Sequence, residues 1–303
     1  MVPGIRKVCI VGAGHMGQQI ATVSVLAGCE VSTFDRDPQA PAKAWARLTG
    51  MIQLTTSPEE LARYAEARSA SLFSDSLARA VDGADLVIEA VAEKLEVKRE
   101  VFAQIDRAAA ADAIIGSNSS SIPVSKIESA VAPGRRTRVA NIHFDSPLLA
   151  RRLVEVMPGA ETSPETLEIA RSWAETLGCV PVVVRKPIMG YFANRLWRAV
   201  KKDALKLWAG GYGDVRDIDR SWMEKFNTDI GPFAMMDVVG LDVVHDIEMA
   251  YYRESGDPDD IPPPALKEMI ERDELGMKSG KGFYDWSHSG GPEPELGRKP
   301  QAK

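Results

Sequence analysis

Apolar residues in the first part of the chain fall into short β-branched runs separated by stretches of helical period. Lys7–Val11, Glu30–Phe34, Leu86–Glu89, Ala113–Gly116, Arg138–Ile142 and Pro181–Val184 predict strands, and segments such as Gly17–Leu26 and Val97–Ala110 predict the helices between them. This alternation implies an α/β domain, a parallel sheet wound on both faces by helices. Beyond Lys186-Pro187 the pattern changes. "YFANRLWRAVKKDALKLWAGG" has helical period from Tyr191 to a stop at Gly210-Gly211. "DVRDIDRSWMEKF" follows with an Asp cap, and "GPFAMMDVVGLDVVHDIEMAYY" predicts a helix or a helix pair. The boundary is expected near 185–190, with an α/β domain over 1–187 and an all-α domain over 188–303. Residues 292–303 are polar and Pro-containing, a tail expected to fray.

Composition narrows the function classes. At 303 residues, 45% hydrophobic and 26% charged, the chain suits a globular protein of two domains. A net charge of −6 argues against a general nucleic-acid binder. Cys9, Cys29 and Cys179 form no CxxC pair, and the four histidines (His15, His143, His245, His288) lack ligand spacing, so no metal site is expected. No apolar run approaches a membrane span and the N-terminus has no signal-peptide pattern, which points to the cytoplasm.

"KVCIVGAGHMGQQIA" supplies strand, turn and helix in the order a Rossmann-type dinucleotide site needs, with Gly12, Gly14 and Gly17 at GxGxxG spacing. Gly12 makes the tight turn, Gly14 lets backbone approach a pyrophosphate, and Gly17 permits close helix–strand packing. His15 and Met16 lie inside this loop and are counted with the cofactor contacts, although the imidazole is expected to point to solvent. Asp35 ends the second strand, where a carboxylate accepts from ribose hydroxyls and repels a 2′-phosphate; NAD is expected over NADP, with Arg36 as the counterweight. Glu93 and Lys98 follow the C-terminal end of a strand, the edge where ligands bind in open α/β sheets. Helical charge pattern alone would leave Lys98 in water. His143 and Glu155 lie twelve residues apart in "NIHFDSPLLARRLVEV", a base with a carboxylate able to orient it.

Nearly the whole chain resembles the L-3-hydroxyacyl-CoA dehydrogenase family. The resemblance rests on Gly12–Gly17, "VIEAVAEKLEVK", "SNSSSI", "HFDSP" with "LVEV", "GYFANR", "GPFAMMDVVGLD" and "GMKSGKGFYDW", in that order. It implies His143 as general base, Glu155 as its orienting carboxylate, and Ser120 as a hydrogen-bond partner of the substrate oxygen. Asn194 would contact that oxygen or hold the geometry, and Glu93 and Lys98 would lie near the nicotinamide ribose. It also implies an acyl-CoA as substrate and a homodimer paired through the helical domain. The many large apolar residues there, among them Trp208, Trp222, Phe226, Phe233, Met235 and Met236, agree with a further buried surface.

The chain also departs from that family. The usual Phe-x-Asn-Pro is Phe144-Asp145-Ser146-Pro147, the usual Lys-Leu-Val-Glu is Arg152-Leu153-Val154-Glu155, and "MIQLTTSPEELARYAEARSA" carries arginines where acyl-CoA members often carry lysines. These changes keep a second reading open, a dehydrogenase of a small free hydroxy acid whose carboxylate Arg151 or Arg152 would bind. A third, from another class, is an inactive NAD-binding structural protein; the intact Ser120, His143, Glu155 and Asn194 argue against it.

Overall fold

A computed structural model describes residues 4–52, 56–149 and 151–287, without the side chain of residue 51. The expected tail at 292–303 and His288 lie outside the described residues. The chain divides into two compact units, one ending at Phe192 and the other beginning at Ala193.

The first unit runs β1 (Lys7–Val11), α1 (His15–Leu26), β2 (Glu30–Phe34), α2 (Ala40–Ile52), α3 (Pro58–Ala70), β3 (Leu72–Ser74) and α4 (Leu77–Val81). It continues with β4 (Leu86–Glu89), α5 (Leu95–Ala108), β5 (Ile114–Ser117), β6 (Val139–Phe144), β7 (Leu153–Pro158), α6 (Pro164–Thr176) and β8 (Val180–Val183). The strands form one sheet in the order β3-β2-β1-β4-β5-β6-β7-β8. The winding reverses between β1 and β4, the switch point where such sheets bind ligands.

Period-two alternation sorts the strand side chains into two cores. Val8, Ile10, Leu86, Ile88, Ile142 and Val154 join Ile20 of α1, Leu48 of α2 and Trp173 of α6 on one face. Cys9, Val11, Val87 and Ile115 join Val81 of α4 and Phe102 and Ile105 of α5 on the other.

The sequence pattern predicts a parallel sheet, but the sheet is not wholly parallel. β7 runs antiparallel to β6, and β8 then runs parallel to β7. Residues 145–152, the link between β6 and β7, are too few for the crossover that parallel pairing demands. β3 and β7 were not expected as strands: β3 is three residues long, and β7 begins in the arginine-flanked stretch after residue 150.

The second unit contains α7 (Ala193–Ala209), α8 (Val215–Phe226), α9 (Pro232–Val239), α10 (Leu241–Ser255) and α11 (Pro264–Glu271). α7 starts two residues later than its period suggests, because Tyr191 takes a left-handed φ of 50° that no helix tolerates. The long apolar segment is a helix pair broken at Gly240. Two fully buried carboxylates organise this unit. Asp219 accepts from the N–H groups of Phe233 (2.8 Å) and Ala234 (3.0 Å) and from the Tyr284 hydroxyl (3.0 Å). Asp237 accepts from the N–H of Phe283 (2.9 Å) and Tyr284 (2.8 Å) and from Trp286 Nε1 (2.9 Å). Burial raises both carboxyls above their ordinary range despite these donors. Gly282 is required here, since a Cβ would sit 2.1 Å from Asp237 Oδ1. Of the large apolar residues of this unit, Phe233 and Met236 lie in its core and Trp208 packs against it.

Candidate active site

The turn between β1 and α1 opens at the switch point. Gly12 has φ 104°, and a Cβ there would meet the Ala90 carbonyl oxygen at 2.5 Å. A Cβ on Gly17 would lie 1.8 Å from the Gly12 oxygen, so the helix can press on the turn only without a side chain. Around Gly14 nothing lies within 4 Å of such a Cβ, and its side caps none of the first N–H groups of α1. This combination, open space before uncapped donors, suits an anionic phosphate.

Asp35 stands beside that space. Its carboxylate accepts from Ala13 N–H (2.8 Å) and Asp37 N–H (2.9 Å), which fixes it at the end of β2. A cleft of about 260 Å³ is lined by Gly12, Gly14, Asp35, Arg36, Ala90, Val91, Val97 and Val101. Walls that are mostly apolar, with Asp35 beside the glycine turn and Arg36, Glu100 and Gln104 also in the lining, fit an adenosine. The residues present therefore fit NAD: the turn at Gly12 and Gly14 would hold its pyrophosphate, with Gly17 letting α1 press close, and Asp35 would take the ribose.

Lys98 is not solvated. It is buried on the inner side of α5, where its Nζ lies 2.8 Å from Glu89 Oε1 and 3.1 Å from Glu93 Oε2. The helical pattern failed because Glu89, at the end of β4, is itself fully buried and demands a cation. The same Glu89 accepts from Ser117 Oγ at 2.7 Å. Glu93 accepts from Ser119 Oγ (2.5 Å), Ser121 N–H (3.0 Å) and Ser121 Oγ (2.7 Å), so it shapes the "SNSSSI" loop. Burial pushes the Glu93 carboxyl up, but Lys98 and the serine donors outweigh it and hold it below the ordinary value. Ser120 itself is exposed.

His143 and Glu155 are brought together. They are register partners across β6 and β7, with Nδ1 3.4 Å from Oε2. Glu155 Oε1 accepts the backbone N–H of Phe192 at 2.8 Å. The Tyr191 ring stacks on the imidazole, centroids 4.6 Å apart and planes 11° apart, while its hydroxyl donates to the Ser119 carbonyl at 2.6 Å. Burial, then the charges of Glu93, Glu155 and Glu89, raise the Tyr191 phenol well above its ordinary value, so it stays a donor. Asn118 Oδ1 accepts the Phe144 N–H at 2.9 Å and pins the end of β6 to the serine loop.

His15 and Met16 open α1 at the glycine turn, whereas Arg151 and Arg152 lie apart from the His143–Glu155 pair and Asn194 lies in the other unit. His15 does not point to solvent; it is half-buried, with Nε2 3.3 Å from Ser146 Oγ and 3.1 Å from Gln19 Nε2. Burial, then Arg47, lowers its pKa. Met16 is half-buried, with its sulfur 3.6 Å from Gln19 Nε2. Arg152 alternates with Glu155 onto the opposite face, where its guanidinium reaches the Leu177 carbonyl at 3.5 Å in a cleft with Glu60, Arg63 and Tyr64. Arg151 is exposed. Asn194 belongs to the second unit, inside the first turn of α7 and not at its cap.

Sequence reasoning missed Tyr191, Glu89 and Ser119. Tyr191 stands in "GYFANR", where helical period predicts the start of a helix and not a ring beside the imidazole. Glu89 ends a strand between Ile88 and Ala90 and gives no signal of its own. Among the described residues no cluster could hold a metal, and no helix is long and apolar enough to cross a membrane.

Comparison with known proteins follows the same division. The 3-hydroxyacyl-CoA dehydrogenase family matches in both of its parts, the NAD binding domain over residues 7–187 and the C-terminal domain over residues 190–286. A 3-hydroxybutyryl-CoA dehydrogenase of Mycobacterium tuberculosis is 33% identical over 94% of this chain and 100% of its own. A 5-formyl-3-hydroxy-2-methylpyridine 4-carboxylate 5-dehydrogenase of Mesorhizobium japonicum is 30% identical over 92% of this chain and 90% of its own. The crystal structure of FadB2 from M. tuberculosis superimposes with a TM-score of 0.83 at 32% identity, covering 93% of this chain and 99% of that one. The chain thus belongs to the 3-hydroxyacyl-CoA dehydrogenase family and is an NAD-dependent oxidoreductase acting on a secondary alcohol.

Proposed function

We propose that the protein interconverts an L-3-hydroxyacyl-CoA and the 3-ketoacyl-CoA, with His143 as general base and Glu155 as its orienting partner. The observation that carries this reading is the in-register contact of His143 Nδ1 with Glu155 Oε2, on the sheet that also bears the glycine turn. Bound NAD supplies the hydride acceptor. With Nδ1 held by Glu155, His143 Nε2 takes the proton of the substrate hydroxyl as the carbonyl forms, and returns it in the reverse direction. Stacked Tyr191 keeps the imidazole in one plane, and the Phe192 N–H keeps the carboxylate from turning away. Ser120, exposed in its loop, is proposed to donate to the substrate oxygen and Asn194 to assist it. Glu93 and Lys98 set the shape of that loop and lie towards the nicotinamide ribose.

A second reading is favoured by the M. japonicum relative, whose name gives a free carboxylate as its substrate. The arginines of α3 agree with it in part: Arg68 donates to Gln18 Oε1 at 3.2 Å and stacks over Trp45, so it is not held free for a CoA phosphate. The deciding experiment compares 3-hydroxybutyryl-CoA with free 3-hydroxybutyrate by NADH absorbance. The acyl-CoA reading expects kcat/KM for the thioester to be at least about 10²-fold higher, because remote binding energy is lost with the handle. A preference for the free acid, with KM raised in Arg151→Ala, establishes the second reading instead. The helical unit leaves Val238, Val239, Val243 and Ile247 exposed, and we propose a homodimer, checked by light scattering at micromolar concentration.

A further inference from the structure

The loop of residues 145–152 joins the two strands that carry His143 and Glu155, and two side chains from the first turns of α1 hold it. His15 and Gln19 are four residues apart and share a face of that helix. Gln19 Oε1 accepts the Leu149 N–H at 3.4 Å, which orients the amide and turns its Nε2 towards His15. An amide nitrogen only donates, so His15 Nε2 must be the acceptor at 3.1 Å, and the ring proton must sit on Nδ1. The Ser146 hydroxyl, 3.3 Å from the same Nε2, shares its lone pair. His15 Nδ1 is buried and has no hydrogen-bond partner among the described residues. An orphaned buried N–H weakens a fold, so the arrangement brings no evident gain in stability.

We propose that His15 and Gln19 are positioning residues, a neutral clamp that fastens the β6–β7 loop to the dinucleotide turn and so sets the His143–Glu155 pair relative to the cofactor site. Its hydrogen-bond logic requires the uncharged imidazole. A second proton on Nε2 would face the Gln19 amide donor to donor, and Gln19 could relieve that clash only by turning its Oε1 away from the Leu149 N–H. The lowered pKa of His15, caused first by burial and then by Arg47 of α2, agrees with the neutral form. Ser146, where the chain departs from the usual Phe-x-Asn-Pro, is the loop residue that touches His15.

The inference rests on the assignment of His143 and Glu155 as the reacting pair, but its first test does not. Hydrogen exchange of the cofactor-free protein, read by mass spectrometry over residues 144–149, should speed up about 10-fold or more in His15→Leu and Gln19→Leu, with exchange of β1 unchanged. Unchanged exchange at 144–149 overturns the clamp whatever the reaction proves to be. In turnover, His15→Leu and Ser146→Ala should each lower kcat about 5- to 20-fold, the double variant should be no worse than either, and Ser146→Thr should restore most of the loss. NADH affinity by fluorescence should stay within about 2-fold. Additive losses, or NADH binding weakened about 10-fold with kcat kept, would make His15 a direct cofactor contact and reject the positioning role. Faster exchange with no turnover on any hydroxyacyl substrate would leave the clamp standing and reject the reaction.

Discussion

His143 stands directly opposite Glu155 in the antiparallel pair β6–β7, and the two side chains share one face of the sheet. Directly opposed residues bring their Cβ atoms within about 4.5–5.5 Å, so register alone delivers the Nδ1 to Oε2 contact of 3.4 Å. The pairing also explains why β7 must reverse direction. A parallel strand would need a long crossover, and the carboxylate could not follow its histidine after so short a link. Buried neighbours protect the register: Ile142, Val154 and Val156 lie in the core of the other face, and a slip by one residue would expose them to the wrong side.

Replacing His143 by Gln should lower kcat by about 10²- to 10⁴-fold, since the proton then has no base to go to. NADH fluorescence titration should give an unchanged affinity. Glu155→Gln should cost at least about 10-fold in kcat, because an amide can present its N–H to the ring and favour the wrong tautomer. Near-normal turnover by folded His143→Gln would remove the histidine from the mechanism.

Two glycines separate folding from binding. Gly14→Ala meets no protein atom within 4 Å, so the variant should melt within a few degrees of the parent, losing only the roughly 1 kcal/mol by which alanine is the poorer N-cap. Its methyl group occupies phosphate space, and NADH affinity should fall at least about 10-fold. Gly17→Ala puts a Cβ 1.8 Å from the Gly12 oxygen and should fail to give stable protein. Calorimetry beside NADH titration distinguishes the two; equal loss of stability in both would contradict the geometry.

Asp35 should make kcat/KM with NAD at least about 10²-fold higher than with NADP, by repulsion of the 2′-phosphate. In Asp35→Ser that ratio should fall towards unity, because Arg36 lines the same cleft and can receive the phosphate. Steady-state kinetics with both cofactors checks this, and an unchanged ratio would place discrimination elsewhere.

Lys98→Met strips Glu89 and Glu93 of their cation. Loss of one partner from so buried a pair should destabilise the unit by about 3–5 kcal/mol. The variant should also respond differently to acid. Glu93 is held below its ordinary value of 4.5, so its contribution is complete above that pH and disappears as the pH falls through the lowered value of the folded state. In Lys98→Met the share of that contribution due to the Lys98 charge is absent and only the serine donors remain, so the melting temperature should drop less between pH 6 and pH 3 than in the parent (about the span a lowered carboxylate covers). A parallel drop in both proteins would show that Lys98 does not govern Glu93.

Much of this was legible in the residues because the chain obeys simple periods. β1, β2 and β4 begin and end where the β-branched runs do, and Gly12, Gly14 and Gly17 announce their turn by spacing. The His143–Glu155 pair was visible as two residue types at a workable separation, but its cause, antiparallel register, was not. Lys98 escaped because a helical wheel sees only its own helix, whereas the partner that buries it comes from β4. His15 escaped for the same reason, its neighbour Ser146 being far along the chain. Tyr191 escaped because a left-handed φ at a tyrosine has no sequence signature.

The helical unit carries a timetable for its own synthesis. All three donors that satisfy buried Asp237 come from Phe283, Tyr284 and Trp286, far downstream of the carboxylate they serve. Until those residues leave the ribosome, Asp237 would face an apolar interior alone, a state costly enough to keep the segment open. The sheet that carries the glycine turn and the His143–Glu155 pair has by then been fully translated, from β1 to β8. Maturation of the enzyme therefore waits on its last described stretch of chain, and a ribosome stalled just before Gly282 would display a finished nucleotide fold trailing helices that cannot yet close.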